Sequence, residues 1–343
     1  MLPSMRLTMR AWCLPKQGTI DSLSLESIAA TPPAPGEVVL DVRYAALNPA
    51  DRYLAEGQYP ARPTFPHVLG RDGVGTVTRV GEGVSEWRPG DTALLLRGEA
   101  GVSRPGTLAE QVTVPAACLA HVPAGWTEQE AAAAPLVSLT AWQSLTQWGD
   151  LPPGVVLVSG ASGGVGVATV QLAIGLGHTV LGLSRSREKA ARLAEIGAAA
   201  VFDPADPGWW KQAKAFLAPR RVDLVVDTIG GALLPQLIDM LGLEGRVSLV
   251  GMLAGPVPQF NTASCFFRRI RLGGVAVGGY SFEESHAAWR RVVAVLAAGG
   301  QRPLIDSVWP LERVPEAFAR LAAGPLGKVL VDMHEAIGGA KLV

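Results

Sequence analysis

Val155 to Ala173 reads VVLVSGASGGVGVATVQLA: an unbroken apolar run, a knot of glycines, then an apolar stretch long enough for a helix. A strand buried on both faces that enters a glycine turn and leaves as a helix is the opening of a parallel, doubly wound sheet. Ala161, Gly163 and Gly166 hold the three positions of a G-x-G-x-x-G turn. Gly163 would let the backbone approach a pyrophosphate, Gly166 would let helix pack tightly on strand, and the helix N-terminus would face the negative charge. Ala161, Ser162, Gly163, Gly164, Val165 and Gly166 are therefore assigned to a dinucleotide.

A rival motif overlaps these residues. Gly160 to Gly164 also satisfies G-x-S-x-G, a hydrolase nucleophile elbow. Ser162 would then be the nucleophile, with Asp227 or Asp306 and His286 or His334 downstream. Gly166, the basic end of the next strand and the lack of an HGGG-type segment weigh against it.

Outward from the turn, strands and helices alternate. TVLGLS, VDLVVDTIG (Val222 to Gly230), GRVSLVGM (Gly245 to Met252) and IRLGGVAVG (Ile270 to Gly278) read as strands, with helical segments between the earlier ones. The second strand ends at Ser184 and Arg185, with Lys189 close behind. A carboxylate there would bind the ribose 2′-hydroxyl of NAD, whereas serine and arginine suit a 2′-phosphate, so NADPH is the expected cofactor. Before Trp126 the texture differs: short apolar runs such as EVVLDVRYAAL and GVGTVTRVG stand between Pro-Gly turns. Thr127, followed three residues later by Glu130, then caps the first clear helix. The fold class expected is α/β: a β-rich domain over residues 1–128 and 282–343, interrupted by a nucleotide-binding domain over 129–281.

Composition agrees. The chain has 343 residues, room for two domains, and 48% are apolar against 17% charged, which excludes a disordered chain. Thirty basic residues balance thirty acidic ones, so global charge supports neither a nucleic-acid nor an acidic-membrane partner. Cys13, Cys118 and Cys265 are too far apart for a disulfide scaffold or a Cys-x-x-Cys zinc pattern. The N-terminus lacks a signal-peptide core, and the best membrane candidate, Val167 to Leu183, is interrupted by Gln171, Gly175, Gly177 and His178. A soluble, cytoplasmic protein is expected.

Three further stretches carry a family resemblance: AALNPADRYLAEGQYP (Ala45 to Pro60), FPHVLGRDGVGTVTRVGEGVSEWRPGD (Phe65 to Asp91) and the C-terminal RPLIDSVWPLERVPEAFARLAAGPLGKVLVDM. With the glycine turn, they resemble the medium-chain dehydrogenase/reductase superfamily over nearly the whole chain from Met9. The resemblance implies a GroES-like β domain joined to a Rossmann domain. Zinc-dependent members carry a catalytic cysteine and a His-Glu pair where this chain has Asn48, Arg71 and Asp72, and their structural-zinc cysteines have no counterpart here. Asparagine and arginine cannot replace a thiolate and an imidazole on Zn²⁺. No metal is expected, and the chain looks like the zinc-independent, quinone-oxidoreductase-like branch.

By that resemblance Asn48, Asp51, Tyr53 and Tyr59 line the nicotinamide and substrate site, Thr140 contacts the carboxamide, and Gly251 and Lys328 lie beside the cofactor. Pro204 stands where the branch usually has a tyrosine. The implied activity is NADPH-dependent reduction of a quinone or α,β-unsaturated carbonyl, with Tyr53 the first choice of hydroxyl donor. The alternatives are alcohol/carbonyl redox chemistry of the same superfamily, or an NADPH-binding protein with little turnover. A homodimer is implied as well, the apolar strand RLGGVAVGG being able to pair across a two-fold axis.

Overall fold

The computed structural model describes residues 8–96 and 98–334 and the backbone of 341–342. The chain forms two compact units, one of Met1–Leu136, Ser281–His286 and Pro303–Val343, the other of Val137–Tyr280 and Ala287–Arg302.

In the first unit the strand Glu37–Ala46 is the spine. It pairs antiparallel with Asp72–Val80, Gln111–Pro115 and the late strand Lys328–Asp332. Two register shifts along its pairing with Asp72–Val80 bend it. The expected return of the C-terminal segment to the first domain is thus a strand pairing: Ala46 faces both Asp72 and Leu330. That register brings residues from three distant parts of the chain to one end of the sheet. Beneath it, Leu40, Leu47, Leu54, Leu69 and Leu108 pack with Leu311, Val314 and Val329 in one core. Trp12 joins this core and satisfies its indole by donating to the Leu311 carbonyl at 2.7 Å.

The second unit holds six parallel strands in the order Ala200–Phe202, Thr179–Leu183, Val155–Val158, Val222–Asp227, Leu241–Leu249, Arg271–Gly274. In chain order this is 3-2-1-4-5-6, the doubly wound arrangement whose strand order reverses beside the first strand. The four residues Val155–Val158 are fully buried, as a strand covered on both faces requires.

Four expectations about extent differ from what is found. The strand expected over Gly245–Met252 runs Leu241–Leu249, and the one expected over Ile270–Gly278 ends at Gly274, with a short 3-10 turn over Val277–Gly279. The unit boundary falls after Leu136 rather than after residue 128. Most of the helix Phe282–Ala298, assigned by sequence to the β-rich domain, packs with the parallel sheet's unit. The cause is a close fit: a Cβ at Gly175 would lie 2.4 Å from Val295, and Gln171 donates to the Arg302 carbonyl at 2.7 Å. Trp289, Val292 and Leu296 are buried as a result. Among the described residues no helix is long and apolar enough to cross a membrane.

Candidate active site

The glycine turn departs from the sheet where the strand order reverses. Ser159 ends its strand by donating to Asp227 Oδ1 at 2.6 Å, and its Oγ accepts the Thr228 amide at 2.9 Å. Asp227 also receives the amides of Ile229 and Gly230, so one carboxylate organises the loop after the neighbouring strand. Gly160 turns the chain at φ +57°, and Gly163 begins the helix Gly164–Gly175 with no side chain capping it.

Two glycines of the turn differ in their surroundings. A Cβ on Gly166 would fall 2.2 Å from the Gly160 carbonyl oxygen, so the protein's own packing demands glycine there. A Cβ on Gly163 would meet nothing nearer than 3.5 Å. Internal packing does not require Gly163 to lack a side chain. An uncapped helix start with open space above Gly163 fits a dinucleotide pyrophosphate. Ala161, the first position, is fully buried, with its amide on the Leu183 carbonyl.

At the end of the second strand Ser184 is buried and Arg185 exposed. Ser186 caps the following helix by accepting the Lys189 amide at 3.3 Å. Thr140 is half-buried on the helix Pro135–Thr146. A Cβ on Gly251 would fall 2.4 Å from the Thr228 carbonyl oxygen, so packing alone accounts for this glycine. The hydrolase constellation does not form. Asp227 is committed to its loop, Asp306 to Arg320, and His286 and His334 to the carbonyl oxygens of Ala117 and Val42.

In the first unit, the strand register assembles a buried polar cluster. Lys328 Nζ donates to the Leu47 carbonyl at 3.0 Å, Asn48 Oδ1 at 2.6 Å and Asp72 Oδ2 at 3.1 Å. An ammonium has three N–H bonds, and all are used. Asn48 Nδ2 donates to Asp72 Oδ2 at 2.9 Å and to the Ala46 carbonyl at 3.2 Å, while Asp72 Oδ1 accepts the Leu136 amide at 2.9 Å. Lys328, expected beside a cofactor, therefore spends its donors inside its own unit.

Asn48 also starts the helix Pro49–Ala55, and its amide donates to Asp51 Oδ2 at 2.8 Å. Burial pushes the Asp51 carboxyl up to about 6, against the attraction of Arg71. Arg71 Nε lies 3.6 Å from Asp51 Oδ1, and the guanidinium stands over the Tyr59 ring at 4.2 Å. Burial raises the Tyr53 phenol, whose ring is flanked by Arg52 at 5.6 Å. Of the expected residues, Asn48, Asp51 and Lys328 meet in one cluster and Tyr59 joins it through Arg71. Asp72 and Arg71, which sequence reasoning treated only as failed metal ligands, are central to it.

These residues do not fit a zinc ion. The Asn48 oxygen and both Asp72 oxygens are already accepting hydrogen bonds, and two of the neighbouring groups are cations. Among the described residues no group of three or more His, Cys, Asp or Glu could hold a metal.

Comparison with known proteins agrees with this division. Residues 34–124 match the alcohol dehydrogenase GroES-like domain, and residues 164–298 match the zinc-binding dehydrogenase domain. The chain is 33% identical to the human synaptic vesicle membrane protein VAT-1 homolog, over 92% of this chain and 84% of that protein. It is 30% identical to the quinone oxidoreductase of Lama guanicoe, over 94% and 97%. Among solved structures, a mycobacterial protein complexed with NADPH superposes with a TM-score of 0.85 at 26% identity, over 95% of this chain and all of that one.

Proposed function

Because the chain belongs to the medium-chain dehydrogenase/reductase superfamily, as an oxidoreductase of alcohol dehydrogenase-like fold, we propose that it reduces a quinone or an α,β-unsaturated carbonyl with NADPH and without zinc. The observation that carries this reading is the Lys328 ammonium bonded to Leu47, Asn48 and Asp72. It sits among the positions equated by resemblance with a zinc site, and it occupies the Asn48 and Asp72 oxygens that face it. Without a metal to lower the pKa of a hydroxyl, oxidation of an unactivated alcohol is disfavoured. An acceptor that is already electrophilic needs no such help.

Bound NADPH would supply the hydride. The chain's own residues hold and polarise. The helix start at Gly163–Gly166 would take the pyrophosphate, and Ser184 and Arg185 the 2′-phosphate. NADPH in a related mycobacterial structure supports that choice, as quinone oxidoreductases among the relatives support the acceptor class. The Tyr53 phenol, raised by burial against the pull of the adjacent Arg52, stays protonated at neutral pH. It can donate to an acceptor oxygen as negative charge builds there, with the final proton coming from solvent.

Two copies would pair through the sheet-edge strand Arg271–Gly274, near which Phe266, Phe267 and Leu272 are exposed. Sedimentation of the purified protein tests this, a monomer at micromolar concentration being the adverse result. The activity is tested by NADPH oxidation over a panel of quinones and enones. Turnover that survives chelator treatment is expected; stoichiometric zinc with alcohol oxidation would overturn the reading.

A further inference from the structure

Nine buried side-chain polar atoms among the described residues lack a hydrogen-bond partner, and five of them belong to residues 51–71. They are Asp51 Oδ1, Arg52 Nε, Tyr53 Oη, His67 Nε2 and Arg71 Nε. Arg52 and Tyr53 interact with each other; buried polar atoms are ordinarily satisfied, so the remaining ones point to a missing partner.

Arg71 is the most telling member. Its side chain is 9% exposed, and its one hydrogen bond among the described residues runs from Nη2 to the Ala50 carbonyl at 3.3 Å. The carboxylate facing it, Asp51, is 3.6 Å from Nε, too far for a hydrogen bond. Asp51 gives its other oxygen to the Asn48 amide. The second cation of the cluster, Lys328, is matched by Asp72. His67 brings no negative charge, and burial with the nearby Arg71 depresses its imidazole. Tyr59 supports the guanidinium from one face and holds its plane, which leaves the hydrogen-bonding edge directed. A planar, oriented guanidinium that has an ion partner at 3.6 Å but only one hydrogen bond suits a bidentate oxygen anion.

We propose that Arg71 binds a carboxylate of the substrate, so that the acceptors are carbonyl compounds bearing an acid group. Asp51 accommodates the arriving charge. Its carboxyl is held up by burial while facing Arg71, Lys328 and Asp72, so it readily takes a proton when a second carboxylate comes near. The acceptor part of this proposal rests on the redox reading above; the anion-binding part does not.

The test compares 4-oxopentanoate with its methyl ester, as ligands of the full chain with and without NADP⁺, by calorimetry. A 4-oxo-2-alkenoate and its ester serve as substrates with NADPH. The acid is expected to bind about 10- to 100-fold more tightly than the ester, the range of a charge-assisted hydrogen-bond pair. Arg71→Gln should reduce that preference to below threefold, the acid losing far more affinity than the ester. Arg71→Lys, which keeps a charge opposite Asp51 and serves if the glutamine variant does not fold, should retain only part of it. An acid preference under twofold in the parent protein, or an undiminished one in the variants, overturns the proposal. If no neutral quinone or enone is turned over, the redox reading alone fails, and the acid–ester contrast in binding still decides Arg71.

Discussion

The glycine turn and the polar cluster solve opposite problems. Around Gly160–Gly166 side chains are pared away, and what remains to meet a ligand is backbone amide at an uncapped helix start. Around Asn48, Asp51, Asp72 and Lys328 charged side chains crowd together, and nearly every donor is turned inward. The first arrangement suits any dinucleotide and costs the fold little. The second places ions where water is scarce, so it survives only while each charge keeps its partner. On the proposed function, cofactor recognition and acceptor choice would then fall to different kinds of chemistry.

The sharpest way to break the contrast is Asp72→Ala. It leaves the Lys328 ammonium buried with only Leu47 and Asn48, and it unpairs the Leu136 amide. A loss of about 3–5 kcal/mol is expected in a urea melt, as for a buried pair deprived of one member. NADPH affinity of whatever remains folded should be nearly unchanged, because the glycine turn owes nothing to this carboxylate.

Asp51 offers the next effect, and its sign follows from burial. Its carboxyl lies near 6 in the folded chain against an ordinary 3.8, a difference of about 3 kcal/mol. Below pH 4 both states hold the proton and Asp51 costs nothing. Between pH 4 and 6 the unfolded chain releases it first, so stability falls as pH rises, levelling above 6. Asp51→Asn removes that slope, since asparagine can still accept the Asn48 amide. Urea midpoints of parent and variant should therefore diverge in favour of the variant from pH 4 to pH 7; parallel profiles would remove Asp51 as their source.

What sequence could show, and what it could not, follows the same line. The glycine turn is local: strand, bend and helix lie within twenty residues, and burial on both faces writes itself as an apolar run. The roles separated for Gly163 and Gly166 follow from their order in the turn. Asn48 and Asp51 were singled out through the family resemblance, carried by residues close together in sequence. Lys328, however, reaches Asp72 across 256 residues and Asn48 across 280. No spacing rule spans such distances, and only the pairing of Lys328–Asp332 with Glu37–Ala46 closes them. The bond from Ser159 to Asp227 was not legible for a similar reason: the two residues lie 68 apart in sequence and meet only because neighbouring strands pair. The extent of the helix Phe282–Ala298 within the second unit was hidden because its partner surface depends on Gly175 having no side chain.

Within the glycine turn itself a finer comparison is available. Gly166→Ala forces a Cβ to within 2.2 Å of a backbone oxygen and should cost about 1–3 kcal/mol along with cofactor binding. Gly163→Ala meets only an ordinary 3.5 Å contact, so the melt should barely move while NADPH binds at least tenfold more weakly. Fluorescence titration beside denaturation separates the two. Equal losses of stability would mean that Gly163 serves packing rather than a ligand.

The smallest effect tests the choice of cofactor. Arg185 is exposed at the end of the strand Thr179–Leu183, and changing it to alanine should leave stability within about 0.5 kcal/mol of the parent. If its guanidinium meets a 2′-phosphate, Arg185→Ala weakens NADPH binding by about tenfold and leaves NADH binding untouched, because only one of the two cofactors carries that group. The effect should shrink at high salt, as an exposed ion contact must. Equal, small changes for both cofactors would return Arg185 to the solvated surface and transfer the discrimination to Ser184, which burial fixes at the strand end.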